Sequence, residues 1–393
     1  MLTRANAHHP DWKSELLQSI TTVQELVELN LVSEKERPQL EEISKTFKMR
    51  ITPYYAKLIE NSPDCPIRKQ AIPALSENDP SLPPWATDWS QKIYGRPAPW
   101  HPDPIGDLTF QAAPRLTHRY RHRAILHLSS MCALYCRFCF RKSHLNDESR
   151  TLYEGGLDPA FAYLRAHSDI SELILTGGDP LSLSDAMLEK VFRQVNSIPN
   201  IKTLRIHSRM AVTLPARFTE SLLQILGTDW QFNICLVSHF NHPKELTHFA
   251  RRKLSELRRA GITLLNQSVL MKDVNNSVTT LQTLFQTLYE CGVIPYYLHH
   301  PDWTPGTFSF RVSIHEGQNL MRALRGLIPG PALPDYVLDL PQGQGKTSLL
   351  CSPLEIVDQY SSDSLSGTVY AAIPPSTRKT QAERTLYLDI AAT

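Results

Sequence analysis

Cys132, Cys136 and Cys139 fall within eight positions of one another in the stretch MCALYCRFCFRK. Thiolates so close together in sequence serve a metal before they serve a disulfide framework, and the other four cysteines, at 65, 235, 291 and 351, are scattered. A structural zinc site needs four protein ligands at tetrahedral spacing, and neither a further CxxC nor an HxxxH follows in the neighbourhood. Iron and sulfur suit the pattern better, because a loop with gaps of three and two can wrap three corners of a [4Fe–4S] cube. Three cysteines leave one iron without a protein ligand. An open coordination position is what separates a metal that binds substrate from one that only holds a fold.

Further polar groups recur where predicted strands end. TGGDP places Gly177, Gly178 and Asp179 after one β run, and taken alone it is ordinary turn chemistry. LRIHSR supplies His207, Ser208 and Arg209; SHFNHP supplies His239, Asn241 and His242; LLNQSVL supplies Asn266, Gln267 and Ser268. Recurrence at the same rim predicts a polar cavity. The stretch LDLPQGQGKTS presents Lys346 among glycines. A phosphate loop is excluded by spacing, since GxxxxGK[ST] would need glycine at Leu340. A flexible glycine loop carrying a lysine also suits a Schiff base to pyridoxal phosphate.

The elements that must position these residues show in the rhythm of the chain. Six β runs begin at AILHLSS (124–130) and end at IPYYLHH (294–300), with helical stretches such as SDAMLEKVFRQV and HFARRKLSELRRAG between them. The expected fold is α/β: a partial or full parallel (βα) barrel of about six βα units, with its chemistry at the C-terminal ends of the strands. A doubly wound sheet is the alternative. Residues 10–64 read as helical. Pro80 to Pro104 holds seven prolines and three tryptophans, which predicts an extended strap lying on the barrel. The expected divisions are 1–110 (helical region and strap), 111–330 (barrel) and 331–393 (lysine loop and closing strands).

In 393 residues, 41% are hydrophobic and 20% charged, with a net charge of +2, which argues against disorder and gives no reason to expect nucleic acid or a membrane surface as partner. With no apolar leader at the N-terminus and no apolar run long enough to cross a bilayer, the expectation is a cytoplasmic protein.

CxxxCxxC on the first βα loop, with Phe138 before its last cysteine, resembles the signature of the radical S-adenosylmethionine enzymes. There the open iron is chelated by S-adenosylmethionine, which is cleaved to a 5′-deoxyadenosyl radical. From about Ile51, through ITPYYAKLIENSPDCPIRKQAIP, LTHRYRHRAIL, the cysteine loop, ILTGGDPL, LRIHSRMAVTLPARFT, SHFNHPKELT, LLNQSVLMKDVN, PYYLHHPDW and the lysine loop, the chain resembles the lysine 2,3-aminomutase family.

That resemblance implies three cofactors: a [4Fe–4S] cluster on Cys132, Cys136 and Cys139, S-adenosylmethionine and pyridoxal 5′-phosphate. It implies S-adenosylmethionine contacts at Gly177, Gly178, Asp179, Ser208, His239 and Gln267. Lys346 matches the lysine that carries pyridoxal phosphate, with Arg119, Tyr120 and Arg123 holding that cofactor. Arg141 matches the residue for the substrate carboxylate, and Asp302 and Asp339 match the pair that receives the distal ammonium of L-lysine. The implied activity is an isomerase, converting L-lysine to β-lysine through an aldimine. The implied partners are L-lysine and a reducing electron donor, with homo-oligomerisation left open. Longer members of the family end in a zinc-binding cysteine cluster, and no zinc is expected here. This departure resembles the shorter branch that makes β-lysine for elongation factor P, while the lysine loop keeps the spacing of the free-lysine branch. Another amino acid as substrate is the remaining alternative.

Overall fold

A computed structural model describes residues 11–145, 152–352, 354–362, 364–372, 374 and 384–392. Ten strands hydrogen-bond in simple chain order: β1 (Gln111–Ala113), β2 (Leu116–Tyr120), β3 (Arg123–Ser129), β4 (Glu172–Gly177), β5 (Thr203–His207), β6 (Asn233–Ser238), β7 (Thr263–Val269), β8 (Ile294–His299), β9 (Asp335–Leu340) and β10 (Gly345–Ser348). Strands β3 to β9 are parallel, and the sheet is flanked by antiparallel β1–β2–β3 at one end and the β9–β10 hairpin at the other.

The crossover helices are Asp158–Ala166, Asp185–Asn196, Glu220–Leu226, His248–Arg259, Val278–Glu290 and Ile314–Leu324. Five of them start at a Ser or Thr whose side chain accepts from the first turn: Ser184, Thr219, Thr247, Ser277 and Ser313. Each cap satisfies an N–H that the helix itself cannot. One stripe of each helix is buried on the sheet, as with Leu188, Val191, Phe192 and Val195. This is a partial (βα) barrel of six βα units. Its two ends, β1 and β10, are not hydrogen-bonded to each other as neighbouring strands.

The remaining described strands, β11 (Leu354–Ser361), β12 (Leu365–Ala372) and β13 (Thr385–Ala392), form a separate antiparallel sheet. The expected closing strands therefore do not close the barrel. Nor does the barrel stop at 330, because β9 pairs in parallel with β8 and continues the sheet into the lysine hairpin.

The expected extended strap is also corrected. Pro84–Tyr94 is an α-helix, ended by Gly95 in the left-handed conformation. Pro84 sits at the helix start, where its missing N–H leaves no bond unmade. Trp85 and Trp89, one helical turn apart, meet the separate sheet: Trp85 stacks on Tyr360 at 4.8 Å, and Trp89 Nε1 donates to the Tyr360 hydroxyl at 3.0 Å. Short helices at Trp12–Leu17, Val23–Glu28, Arg37–Thr46, Pro53–Ala56 and Pro66–Ala71 make up the helical N-terminal region.

Candidate active site

A cavity of about 270 Å³ opens at the C-terminal ends of the parallel strands. Its walls bring together Cys132, Cys136, Cys139, Gly177, Gly178, Asp179, Ser208, His239, Gln267, Arg119, Tyr120, Arg123, Lys346, Arg141, Asp302 and Asp339. Strand alternation decides which rim residues reach it. Gln267 and Val269 of β7 line the cavity, while Asn266 and Ser268 point to the opposite face. Asn266 accepts from Phe240 N at 2.8 Å, Ser268 donates to Phe240 O at 2.6 Å, Asn241 accepts from Val269 N at 2.9 Å, and His242 caps the turn that follows it. Those four residues hold loops in place and do not line the polar cavity expected of them.

The cysteine loop leaves β3 at Ser129 and is held from outside by the N-terminal region. Tyr135 N donates to Arg50 O at 3.0 Å and Arg137 N to Gln70 O at 2.9 Å. Buried Arg137 grips Glu77 through Nε (2.9 Å) and Nη2 (2.6 Å), and buried Lys142 reaches the same carboxylate at 2.8 Å. On the inner side, Gly178 N donates to Ser129 O and Asp179 N to Met131 O at 2.8 Å. A Cβ on Gly178 would stand 2.5 Å from Met131 O, so glycine is required for the approach. Arg209 Nη1 donates to Cys136 Sγ at 2.8 Å. Among the described residues no three His, Cys, Asp or Glu groups converge on a single-ion position. A cube holds its thiolates farther apart than a single ion does. Burial pushes the Cys139 thiol up to about 11 and Cys132 well above its usual value, so positive iron would be needed to keep these sulfurs as thiolates. The donor set fits a three-cysteine cluster.

Beside the cysteines, Asp179 and Ser208 are committed to one another. Ser208 Oγ donates at 2.9 Å, and Leu181 N and Arg209 N donate to the same carboxylate at 3.0 and 2.7 Å. Burial still pushes Asp179 up to about 6. His207 and His239 also line the cavity, and burial holds both well below the usual histidine range, hence neutral. Their Nε2 atoms are buried without a partner. Unmet polar atoms facing a cavity are a place for a polar ligand such as S-adenosylmethionine.

On the opposite wall, Lys346 lies on β10 of a tight hairpin, which replaces the expected flexible loop. Gln342, Gly343 and Gly345 take positive φ angles of 58°, 74° and 98°, and Lys346 pairs directly with Asp339 across the hairpin. Directly opposed residues project on the same face, so the Lys346 ammonium meets the Asp339 carboxylate. His299 Nδ1 lies 3.5 Å from Asp339 and 3.4 Å from Lys346 Nζ. Burial raises the Asp339 carboxyl, but the Lys346 charge outweighs it and holds the acid far below its usual range. For Asp302, burial and the Asp339 charge outweigh the charges of Lys346, Arg311 and Arg141 and push it up to about 7.

Tyr120 OH accepts from Lys346 N at 3.0 Å, and the Arg123 guanidinium lies 4.0 Å from the centre of the Tyr120 ring. Arg119 Nε is buried without a partner. Two guanidiniums, one of them with its Nε buried and unpaired, beside a lysine fit the phosphate of pyridoxal phosphate. Arg141 donates from Nε (3.1 Å) and Nη2 (2.7 Å) to Asp107 Oδ2 and from Nη1 to Thr176 Oγ1 (3.3 Å). Burial raises Asp107, yet Arg141, His127 and Arg119 together hold it below its usual range. Asp107, His299, Glu77 and Arg205, the last paired with Glu172 at 2.6 Å, went unread in the sequence because their partners are remote.

Residues 122–224 match the family model described as a 4Fe-4S single cluster domain. The L-lysine 2,3-aminomutase of Clostridium subterminale is 34% identical over 347 residues, covering 88% of this chain and 79% of that protein. The chain belongs to the lysine 2,3-aminomutase family. It is a radical S-adenosylmethionine enzyme and an isomerase, and its cofactors are a [4Fe–4S] cluster, S-adenosylmethionine and pyridoxal phosphate. The family's L-lysine 2,3-aminomutase of Escherichia coli (strain K12) is 34% identical, covering 86% of this chain and 94% of that protein. Glutamate 2,3-aminomutase of Clostridioides difficile (strain 630) is 31% identical, covering 89% and 79%. The family therefore includes relatives named for two substrates with opposite distal charge.

Proposed function

We propose that this protein converts L-lysine to β-lysine, moving the 2-amino group to carbon 3. The observation that carries the choice of lysine is the partly buried pair Asp302 and Asp339 on the wall beside Lys346. Two carboxylates in a low-dielectric pocket repel each other, and a cation between them relieves both. The Lys346 ammonium already meets Asp339. A substrate ammonium carries the same charge and would replace it once Lys346 engages its cofactor. The distal carboxylate of glutamate would add a third negative charge there.

The cofactors supply the radical that removes and returns the C3 hydrogen and the π-system that carries the migrating nitrogen. Cys132, Cys136 and Cys139 would hold the cluster. Gly177, Gly178, Asp179, Ser208, His239 and Gln267, which line the cavity beside the cysteines, would hold S-adenosylmethionine. Arg119, Tyr120 and Arg123 would take the phosphate of the second cofactor, with Lys346 as its covalent anchor. Arg141, steadied by Asp107, would bind the substrate carboxylate with the donors that Asp107 does not occupy. The N-terminal region supports the cysteine loop through Arg50 and Gln70.

The test is an anaerobic assay of the reconstituted protein with S-adenosylmethionine, dithionite and either L-lysine or L-glutamate. β-Lysine from the first and no β-glutamate from the second is the expected result. An intact three-cofactor protein that leaves L-lysine unchanged would overturn the reading.

A further inference from the structure

Arg209 is buried, and its guanidinium is bound by three separate parts of the chain. Nη2 donates to Gln70 Oε1 at 2.7 Å and to Glu245 Oε1 at 2.6 Å, and Nε donates to His239 O at 3.2 Å. Its backbone N–H is held by Asp179 at 2.7 Å. Glu245 is fixed in turn by the Tyr55 hydroxyl at 2.8 Å and by Asn241 N at 2.6 Å. The guanidinium also lies 5.1 Å from the Phe138 ring centre and 5.6 Å from that of Tyr55. With its other nitrogens anchored, Nη1 is aimed at Cys136 Sγ, 2.8 Å away. A salt bridge with Glu245 alone would already neutralise a buried arginine, so the donation to sulfur is a contact beyond charge compensation.

We infer that Arg209 is a positioning residue that sets the reduction potential of the cluster, by donating an N–H to the Cys136 sulfur from a frame built by Gln70, Glu245 and Tyr55. The inference rests on Cys136 being a cluster ligand. Reduction takes one electron from a low-potential one-electron donor onto the iron–sulfur centre, with no bond made or broken. The reduced centre carries one more negative charge than the oxidised one. A fixed N–H donor bearing positive charge stabilises the reduced form more, and so raises the potential. Because Gln70 and Tyr55 belong to the N-terminal helices, the seating of that region is transmitted to the cluster through one guanidinium.

The experiment is an anaerobic potentiometric titration, with dithionite as reductant, read by electron paramagnetic resonance of the reduced cluster and normalised to bound iron and sulfide. It compares the reconstituted parent protein with Arg209→Gln, Arg209→Lys and Gln70→Met. At a fixed solution potential the reduced-to-oxidised ratio of Arg209→Gln should fall about tenfold, which is about 59 mV for a one-electron couple. Arg209→Lys keeps the charge without the fork and should recover part of that loss, while Gln70→Met should shift the potential less and in the same direction. A purely structural arginine would lower thermal stability and leave the potential of the retained cluster where it was. That result overturns the inference. Should Arg209→Gln retain no cluster, unshifted potentials in both other variants overturn it equally. A parent protein that binds no cluster would instead overturn the ligand assignment beneath it.

Discussion

At the scale of single residues, the most telling contrast is between two acids on one wall. Asp339 is held ionised by Lys346, whereas Asp302 is pushed up to about 7 by burial and by its neighbour's charge, which outweigh Lys346, Arg311 and Arg141. An ammonium ligand binds the ionised form of Asp302. Affinity for L-lysine, measured by calorimetry on the pyridoxal-phosphate-loaded protein, should therefore rise as pH increases through about 7. Asp302→Asn should weaken binding about tenfold at pH 8 and flatten that dependence. The same shift bears on stability with the opposite sense. The folded value lies above the unfolded one, so the folded chain holds the extra proton between about 4 and about 7, and the contribution of this group falls as pH rises through that window. The stability of Asp302→Asn in urea should lack this component. Lys346→Ala should abolish the absorbance of lysine-bound pyridoxal phosphate while leaving cluster iron unchanged; retention of that absorbance would move the anchor to another residue.

Among elements, the cysteine loop depends on neighbours that no local pattern announces. Glu77 faces Arg137 and Lys142, all three buried, and their charges outweigh burial to hold its carboxyl below the usual range. Glu77→Gln leaves two buried cations without their counter-charge, which should cost about 3–5 kcal/mol and loosen the loop. Chemical denaturation should report the loss, and iron retention after gel filtration should fall with it. The cysteine spacing was legible because its chemistry depends on type and order along the chain, whereas the glycine pair and the acid pair stood out only through the family resemblance. Glu77 was not legible, being 60 positions from Arg137. The helix at Pro84–Tyr94 was hidden for a different reason: proline density argues against regular structure unless the prolines fall at a helix start, as Pro83 and Pro84 do. Lys346 was legible as a lysine among glycines. That those glycines make a hairpin and pair Lys346 with Asp339 required the register of β9 and β10.

The whole molecule is built on a sheet whose ends approach without pairing, and that seam lies at Lys346. The alternation of β runs and helices made six βα units readable, but closure depends on contacts between chain positions more than 200 apart. Tyr120 on β2 accepts from Lys346 N on β10, and the loop before β1 packs into the hairpin. A Cβ on Gly106 would stand 3.0 Å from Gly343 N, and one on Gly343 would stand 2.3 Å from the Phe110 ring. Gly343 also has a φ of +74°, so a side chain there is strained as well as crowded. Gly343→Ala should push the hairpin from Phe110 and turn Lys346 from its place. The inner parallel strands β4 to β7, which do not pair with the strands of this seam, should keep their hydrogen-exchange protection while residues 335–348 lose theirs. Pyridoxal phosphate should then be lost on dialysis faster than from the parent protein, with cluster content preserved, because the loop of Cys132, Cys136 and Cys139 is held by Arg50, Gln70 and Glu77 and not by the hairpin. Equal loss of protection in β4 to β7 would mean that the sheet unfolds as one unit and that the seam has no separate stability.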